Sequence, residues 1–383
     1  MQNIFYFRLD LYESLPSLQN NEPYMKKEAL IVIPGIDAKS VGFALQRTTE
    51  AISNQQSVAS VTKIPTPEKP NMQQLELSHS DTDEKKILDV YEVFWGDIIQ
   101  KNHSDEMPLW KKVVFGLELI FFWFFSPIWK ASYKNKWMFT GIAFSGLIIT
   151  FWYVSILGVF ISAIESAEVT EKFMDIFNIS VDTGKDQNDL IGKSTTRIFL
   201  ISGIVIGLIP ALLGMILKVS GFSMKFIKSQ LVRDDVKNRI QAQMNAIIKD
   251  DSYQSIKIFA HSLGVVPVLD YLSSYNSVHG KKIQLITIGS PVSFLANKTK
   301  LFREYAEKVS ENELVAEWAD YFSKQDWLCS YETLGNPGDR IFSSALHVDS
   351  SWISRMSTAP HLAYFSHSTV VEKLIGGWEH EIA

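Results

Sequence analysis

Ser262 is the residue of this chain best placed for covalent chemistry. It lies in Ala260-His261-Ser262-Leu263-Gly264, after a short β-rich run, Ser255 to Ala260, and before a helix-forming run, Val265 to Ser273. A serine on a sharp strand-to-helix turn is lifted clear of the sheet, where its hydroxyl can reach a substrate. Small residues two before and two after it are needed because neighbouring backbone passes close to both, and Ala260 and Gly264 meet that need. The hydroxyl alone is a poor nucleophile. It requires an imidazole to take its proton and a carboxylate to hold that ring in one tautomer. The bare pattern arises by chance in about one chain in three of this length. Its flanking strand and helix supply the specificity against an ordinary strand-to-helix turn.

The elements that must position this serine read as an α/β domain split in two. Ala29 to Ile33 is an apolar run stopped by Pro34 and Gly35 and followed by a helix candidate from Ser40 to about Ser53. Residues 63 to 86, rich in Pro, charge and polar groups, read as loop with a short strand at Leu75 to Leu77. Val90 to Ile99 reads as the next buried strand. Val232 to Ile248 has helical spacing, and Ser255 to Ala260, Ile283 to Ile288 and Leu314 to Phe322 read as further strands. The N-terminus, Met1 to Tyr12, alternates apolar and polar residues and reads as a strand, not a signal peptide.

Between the two parts the composition changes. Trp137 to Ile164 runs 28 residues without a charge, and Ile198 to Leu217 runs 20 more. A bilayer core needs about 20 residues of helix, so both are expected to be membrane spans, the second kinked at Pro210. A third run, Val113 to Trp129, is shorter, carries Glu118 and Pro127 and is crowded with Phe and Trp, the composition of an interfacial or re-entrant segment. The segment joining the spans, Glu165 to Arg197, holds seven acids against four basic residues. Lys111, Lys112, Lys130, Lys134 and Lys136 precede the first span, and Lys218, Lys225, Lys228 and Arg233 follow the second or lie at its end. That bias puts both flanks, and the catalytic domain with them, in the cytoplasm, and should draw anionic head groups. The strands before and after must join one sheet, so the chain crosses an even number of times. The expected domains are 1–108 and 230–383 as the two parts of one α/β unit, with 109–229 as a membrane insertion.

The 383 residues are 46% apolar, ample for a large core, and the net charge of −5 argues against a nucleic-acid partner. Cys329 stands alone, which excludes an internal disulfide and fits a reducing compartment. Gly192-Lys193-Ser194 has Gln187 where a phosphate loop needs its first glycine, and is set aside. The eight histidines are dispersed and no paired-Cys or His-Glu-x-x-His motif occurs, so neither metal nor cofactor is implied.

The strand, Ile258-Phe259-Ala260-His261-Ser262-Leu263-Gly264 and the helix after it resemble the nucleophile elbow of the α/β-hydrolase superfamily, in particular its lipases and esterases. The resemblance implies a mostly parallel sheet flanked by helices, here with a transmembrane helical hairpin inserted. It implies a triad in the order Ser, acid, His. The acid follows a late strand, where Asp326 sits in the turn Ser323-Lys324-Gln325-Asp326; Asp320, inside the strand, is its rival. The base lies in a late loop: His361 opens a His-x-x-Tyr segment before the helix candidate Thr369 to Ile375, with His367 and His347 as alternatives. The oxyanion donors would be the backbone N–H groups of Leu263 and of Ile36, in the turn after the early strand. The resemblance does not cover 109–229. Both attachment points of that insertion lie at the carboxyl edge of the sheet, where α/β sites sit, so the expected substrate is a membrane lipid or lipidated molecule and the expected activity lipase-like or phospholipase-like carboxylic ester hydrolysis. A thioesterase or deacylase of acylated proteins, and a noncatalytic membrane-bound interaction protein, stay open.

Overall fold

A computed structural model of the chain describes residues 25–36, 40–66, 69–80, 84–101, 108–124, 136–165, 210–276, 281–329, 331–334, 340–348, 351–355 and 357–376. Its centre is an eight-stranded mixed sheet: β1 (Lys26–Ile33), β2 (Val58–Ile64), β3 (Met72–His79), β4 (Lys85–Glu92), β5 (Ser255–His261), β6 (Ile283–Ile288), β7 (Val315–Phe322) and β8 (Ile341–Ala345). The spatial order is β2-β3-β4-β1-β5-β6-β7-β8. Only β3 runs against the others, since it pairs antiparallel with β2 and β4 while the remaining pairings are parallel. The central strand β1 carries Ala29 to Ile33 with no exposure at all, the continuous apolar run expected of a parallel strand covered on both faces.

Helices cover both faces. On one lie α1 (Phe43–Ser53) and the last helix described, Ser368–Ile375, whose Ala44, Leu45, Ile52, Val370, Val371 and Leu374 meet Leu30, Val32, Leu88 and Phe259. On the other lie helices Gln230–Ile248, Val265–Ser273 and Leu301–Glu311. The first of these buries Val232, Val236, Ile240 and Met244, one residue per turn, so its sequence dictates a single inward stripe. Its N-terminus is capped by the Ser229 hydroxyl, which accepts from the Val232 N–H.

The amino edge of the sheet is closed by a buried ionic cluster. Glu28 accepts from Lys257 at 3.0 Å and from Lys86 at 3.4 Å, and all three side chains are nearly fully enclosed. The two ammonium groups also donate to carbonyls of Leu374, Ile375 and Gly376, the orphan acceptors ending the last helix. Burial pushes Glu28 up, but the charges of Lys257 and Lys86 overcome this and hold its carboxyl below its ordinary value. Burial, with Lys257 beside it, pushes Lys86 down to about 8.

Among the described residues, three apolar helices lie between the halves: α3 (Leu109–Phe124), α4 (Lys136–Glu165) and α5 (Pro210–Lys228), numbered after the short α2 (Gly96–Lys101). Leu119, Ile148, Ile149, Leu217 and Met224 form their shared core, and the Tyr153 hydroxyl donates to the Val113 carbonyl. Phe121, Phe144, Leu147, Phe151 and Val154 face outward. Among the described residues, α4 over Lys136–Val154 is the one helix long and apolar enough to cross a membrane. The joining segment, the N-terminal strand, the phosphate-loop candidate and most of the second expected span fall outside the described residues, as does any kink before Pro210.

Two expectations are corrected. Residues 63 to 86 are mainly a hairpin, not loop, because β2 is an outer strand with few buried positions and β3 mixes polar residues with Met72, Leu75 and Leu77. Val90 to Ile99 is not one strand: β4 ends at Glu92, and Ile98 and Ile99 are buried from α2. Short apolar runs do not tell strand from helix. The sheet is mostly parallel as expected and mixed through β3 alone, but its strand β8 was not expected.

Candidate active site

Register brings the chemistry to one edge. Ile33 of β1 pairs with Ala260 of β5, and His261 pairs with Ile288 of β6, so Pro34 to Ile36, Ser262 and Gly289 leave the sheet side by side. Ser262 has φ 55, and it is the one non-glycine residue with positive φ among the described residues. For an L-residue with a Cβ this is a strained conformation. A single 3₁₀ turn, Ser262–Gly264, then leads into helix Val265–Ser273, which we number α7 after α6 (Gln230–Ile248). Gly264 is demanded by close approach: a Cβ there would stand 2.4 Å from the Pro34 carbonyl oxygen. The turn holding Ser262 is thus pressed against the turn holding Ile36. Pro34 is fixed in place by Trp95, whose indole N–H donates to its carbonyl at 2.9 Å.

Asp326 and His361 are joined directly. The His361 Nδ1 lies 2.7 Å from the Asp326 Oδ2, with both side chains almost fully buried. Asp326 also accepts from the Tyr364 hydroxyl at 3.1 Å and from the Leu328 N–H at 3.0 Å. The turn bearing it is pinned by Asp326 N–H to the Ser323 carbonyl and by the Val348 N–H, which donates to Gln325 at 2.7 Å. His361 belongs to a helical turn, Ala359–Leu362, that continues as the 3₁₀ turn Ala363–Ser366, which sets Tyr364 one turn on and beside the same carboxylate. Its ring is packed at 4.6 Å from that of His261, whose Nε2 lies 3.0 Å from the His361 carbonyl. A Cβ at Gly289, which itself has φ 54, would come within 3.1 Å of the His361 ring.

Ser262, Leu263, Ile36 and His361 all line one cavity of about 490 Å³. The rivals lie elsewhere. Asp320 is buried and fully used by threonines, accepting from Thr287, from the Thr333 hydroxyl and from the Thr333 N–H. Burial pushes its carboxyl up, although those bonds oppose the shift. His347 is exposed, and the buried Nδ1 of His367 has no hydrogen-bond partner. Neither lines the cavity.

Three features here escaped the sequence. Cys329 sits beside the pair, and Asp326, Cys329 and His361 hold ligand-type atoms within 4.8 Å of one another. The His361 nitrogen nearest the acid is committed to it, and burial, with Asp326 and Asp320 nearby, pushes the thiol well up. Tyr364 as a third holder of Asp326 had its signal in the His-x-x-Tyr spacing. The contact of α4 with the site had none: Gly141 lies under Trp327, the residue after Asp326, where a Cβ would meet the indole at 2.3 Å.

The same apolar helices wall the cavity. Leu119 and Trp123 come from α3, Met138, Ile142 and Ile149 from α4. Trp123 stacks on Phe294 with centroids 6.1 Å apart. The space beside Ser262 is therefore mostly apolar. Compared with models of protein families, with curated proteins and with solved structures, the chain gives no match.

Proposed function

We propose that this chain is a serine hydrolase of the α/β-hydrolase type that cleaves a carboxylic ester of a lipid taken from a membrane. One observation carries the reading: the strained Ser262 shares a cavity with His361, whose Nδ1 is bound to the buried Asp326 at 2.7 Å. With Nδ1 so engaged, Nε2 is the atom that serves the serine. Ser262 Oγ attacks the ester carbonyl while His361 takes its proton, and the resulting oxyanion is met by the N–H groups of Leu263 and Ile36. Each such donor is worth about 3 kcal/mol in the transition state. The intermediate collapses, His361 protonates the departing alcohol, and the acyl group remains on Ser262. Water, deprotonated by His361, then attacks the acyl-enzyme and releases the acid, restoring the serine.

The apolar walls contributed by α3 and α4 support a lipid over a soluble ester, the outward apolar residues of α4 support insertion in a bilayer, and the lysine-rich flanks support a cytoplasmic catalytic domain. The test is labelling by a fluorophosphonate probe together with turnover of a long-chain ester in detergent micelles. The parent should label and turn over, and Ser262→Ala should do neither while keeping its far-ultraviolet circular dichroism. Undiminished turnover by the alanine variant would overturn the serine mechanism.

A further inference from the structure

We infer that the cavity holds a phosphate-bearing head group, so that the substrate is an anionic acyl lipid, not a neutral acylglycerol. The inference rests on the hydrolase reading above and adds a second site to it, formed by Arg47 of α1 and Lys218 of α5.

Both cations line the same cavity as Ser262. Neighbouring cations of the helical layer are satisfied by the protein: Lys228 pairs with Glu118 at 2.8 Å, Lys237 with Asp270 at 2.7 Å, and Lys298 donates to the Phe122 carbonyl. Arg47 and Lys218 have no carboxylate partner among the described residues, Arg47 resting only over the Phe43 ring. Among the described residues, no aspartate or glutamate lines the cavity. Two cations without counter-charge against apolar walls create a positive potential that low-dielectric surroundings strengthen.

Placement fits a designed site. Glu92, buried at the end of β4, accepts from the N–H groups of Gly42 and Ala44 and so fixes the start of α1, which carries Arg47 one turn later. Lys218 lies next to Ser220 and Ser223, which also line the cavity. Hydroxyl donors lining the same cavity as two cations suit a tetrahedral oxyanion with several acceptors, since guanidinium and ammonium together can neutralise a phosphomonoester dianion. A carboxylate would need only one of them.

The experiment uses the full chain in neutral detergent micelles, with monooleoylglycerol phosphate and monooleoylglycerol as paired probes of identical acyl chain. The parent should prefer the phosphate ester by about tenfold or more in kcat/KM, the effect of charge-assisted hydrogen bonds. Arg47→Gln and Lys218→Gln should each bring the ratio of the two close to one. Lys225→Gln, also on α5 but not lining the cavity, controls for general surface charge and should keep the ratio. In parallel, binding of both lipids to Ser262→Ala is followed by the fluorescence of Trp123 and Trp327, which line the cavity. Glycerol phosphate and inorganic phosphate serve as the soluble arms.

An active, probe-labelled parent with no preference overturns the head-group site and leaves the hydrolase reading intact. A parent that neither labels nor turns over, but whose Ser262→Ala form binds the phosphate lipid in a Lys218-dependent way, overturns the hydrolase reading and supports the site. Glycerol phosphate binding as tightly as its acylated form overturns the lipid source.

Discussion

The two edges of the sheet bury charge in opposite styles. At the amino edge, Glu28 meets two lysines, and those lysines also take up the carbonyls that end the last helix, so charges and helix end neutralise one another. At the carboxyl edge, Asp326 is held by three donors, one of them on His361, while that ring and the strained Ser262 open on a cavity. The first arrangement fixes position, and the second leaves Ser262 and His361 facing open space. The difference teaches that a buried charge is assigned a role by what its partners still offer, not by burial, since Glu28, Asp320 and Asp326 are all nearly inaccessible.

The strongest way to break this contrast is at the carboxyl edge. His361→Ala and Asp326→Asn should each reduce ester turnover by about ten-thousand-fold, with little change in the midpoint of thermal unfolding beyond a few degrees. Steady-state kinetics beside calorimetry would check it, and an Asp326→Asn enzyme with near-normal turnover would erase the distinction. Next comes the amino edge. Glu28→Gln leaves two ammonium groups without their carboxylate and should cost about 3–5 kcal/mol of stability, measured by urea unfolding, while the folded fraction still takes up the fluorophosphonate. The same cluster predicts a pH response. The Glu28 pKa is lowered in the folded protein, so its contribution is complete above its unfolded value, about 4.3, and is lost as pH falls through the folded value. The parent should therefore lose stability on acidification in that window, and Glu28→Gln should show a flatter profile.

Smaller effects sharpen the comparison. Tyr364→Phe removes one donor from Asp326 and should lower turnover by about tenfold, with the acidic limb of the pH–rate profile shifted. Asp320→Asn should cost about 1–2 kcal/mol of unfolding free energy through its weakened threonine bonds, with turnover by the folded enzyme within about twofold of the parent. Loss of labelling in Asp320→Asn would make it, and not Asp326, the acid.

Much of this was legible because local chemistry and chain order speak in the sequence. Ser262 announced itself by small neighbours between a strand and a helix, whereas Asp326 and His361 came from the resemblance to α/β-hydrolases, which sets an acid after a late strand and a base before the last helix. What failed was what depends on neighbours. β2 offers Ser60, Thr62 and Lys63 to solvent, so its edge position concealed it. The pressing of Gly264 on Pro34 and of Trp327 on Gly141 joins residues far apart in the chain, and no periodicity encodes such contacts. Lys86 and Lys257 read as surface charge in any composition count, and only their meeting at Glu28 made them core.

One pairing governs the order in which the molecule can come into being. The register sets Leu30 beside Lys257, with the apolar helices synthesised between them. A ribosome adding about 5–20 residues per second leaves that edge of β1 uncovered for on the order of ten seconds or more. An open apolar edge is a template for wrong partners, so the nascent first half needs shelter until β5 emerges. The hydroxyl of Ser262 is likewise without its turn, and without His361 and Asp326, until the chain is nearly finished, so the hydrolase we propose would be silent throughout its own synthesis.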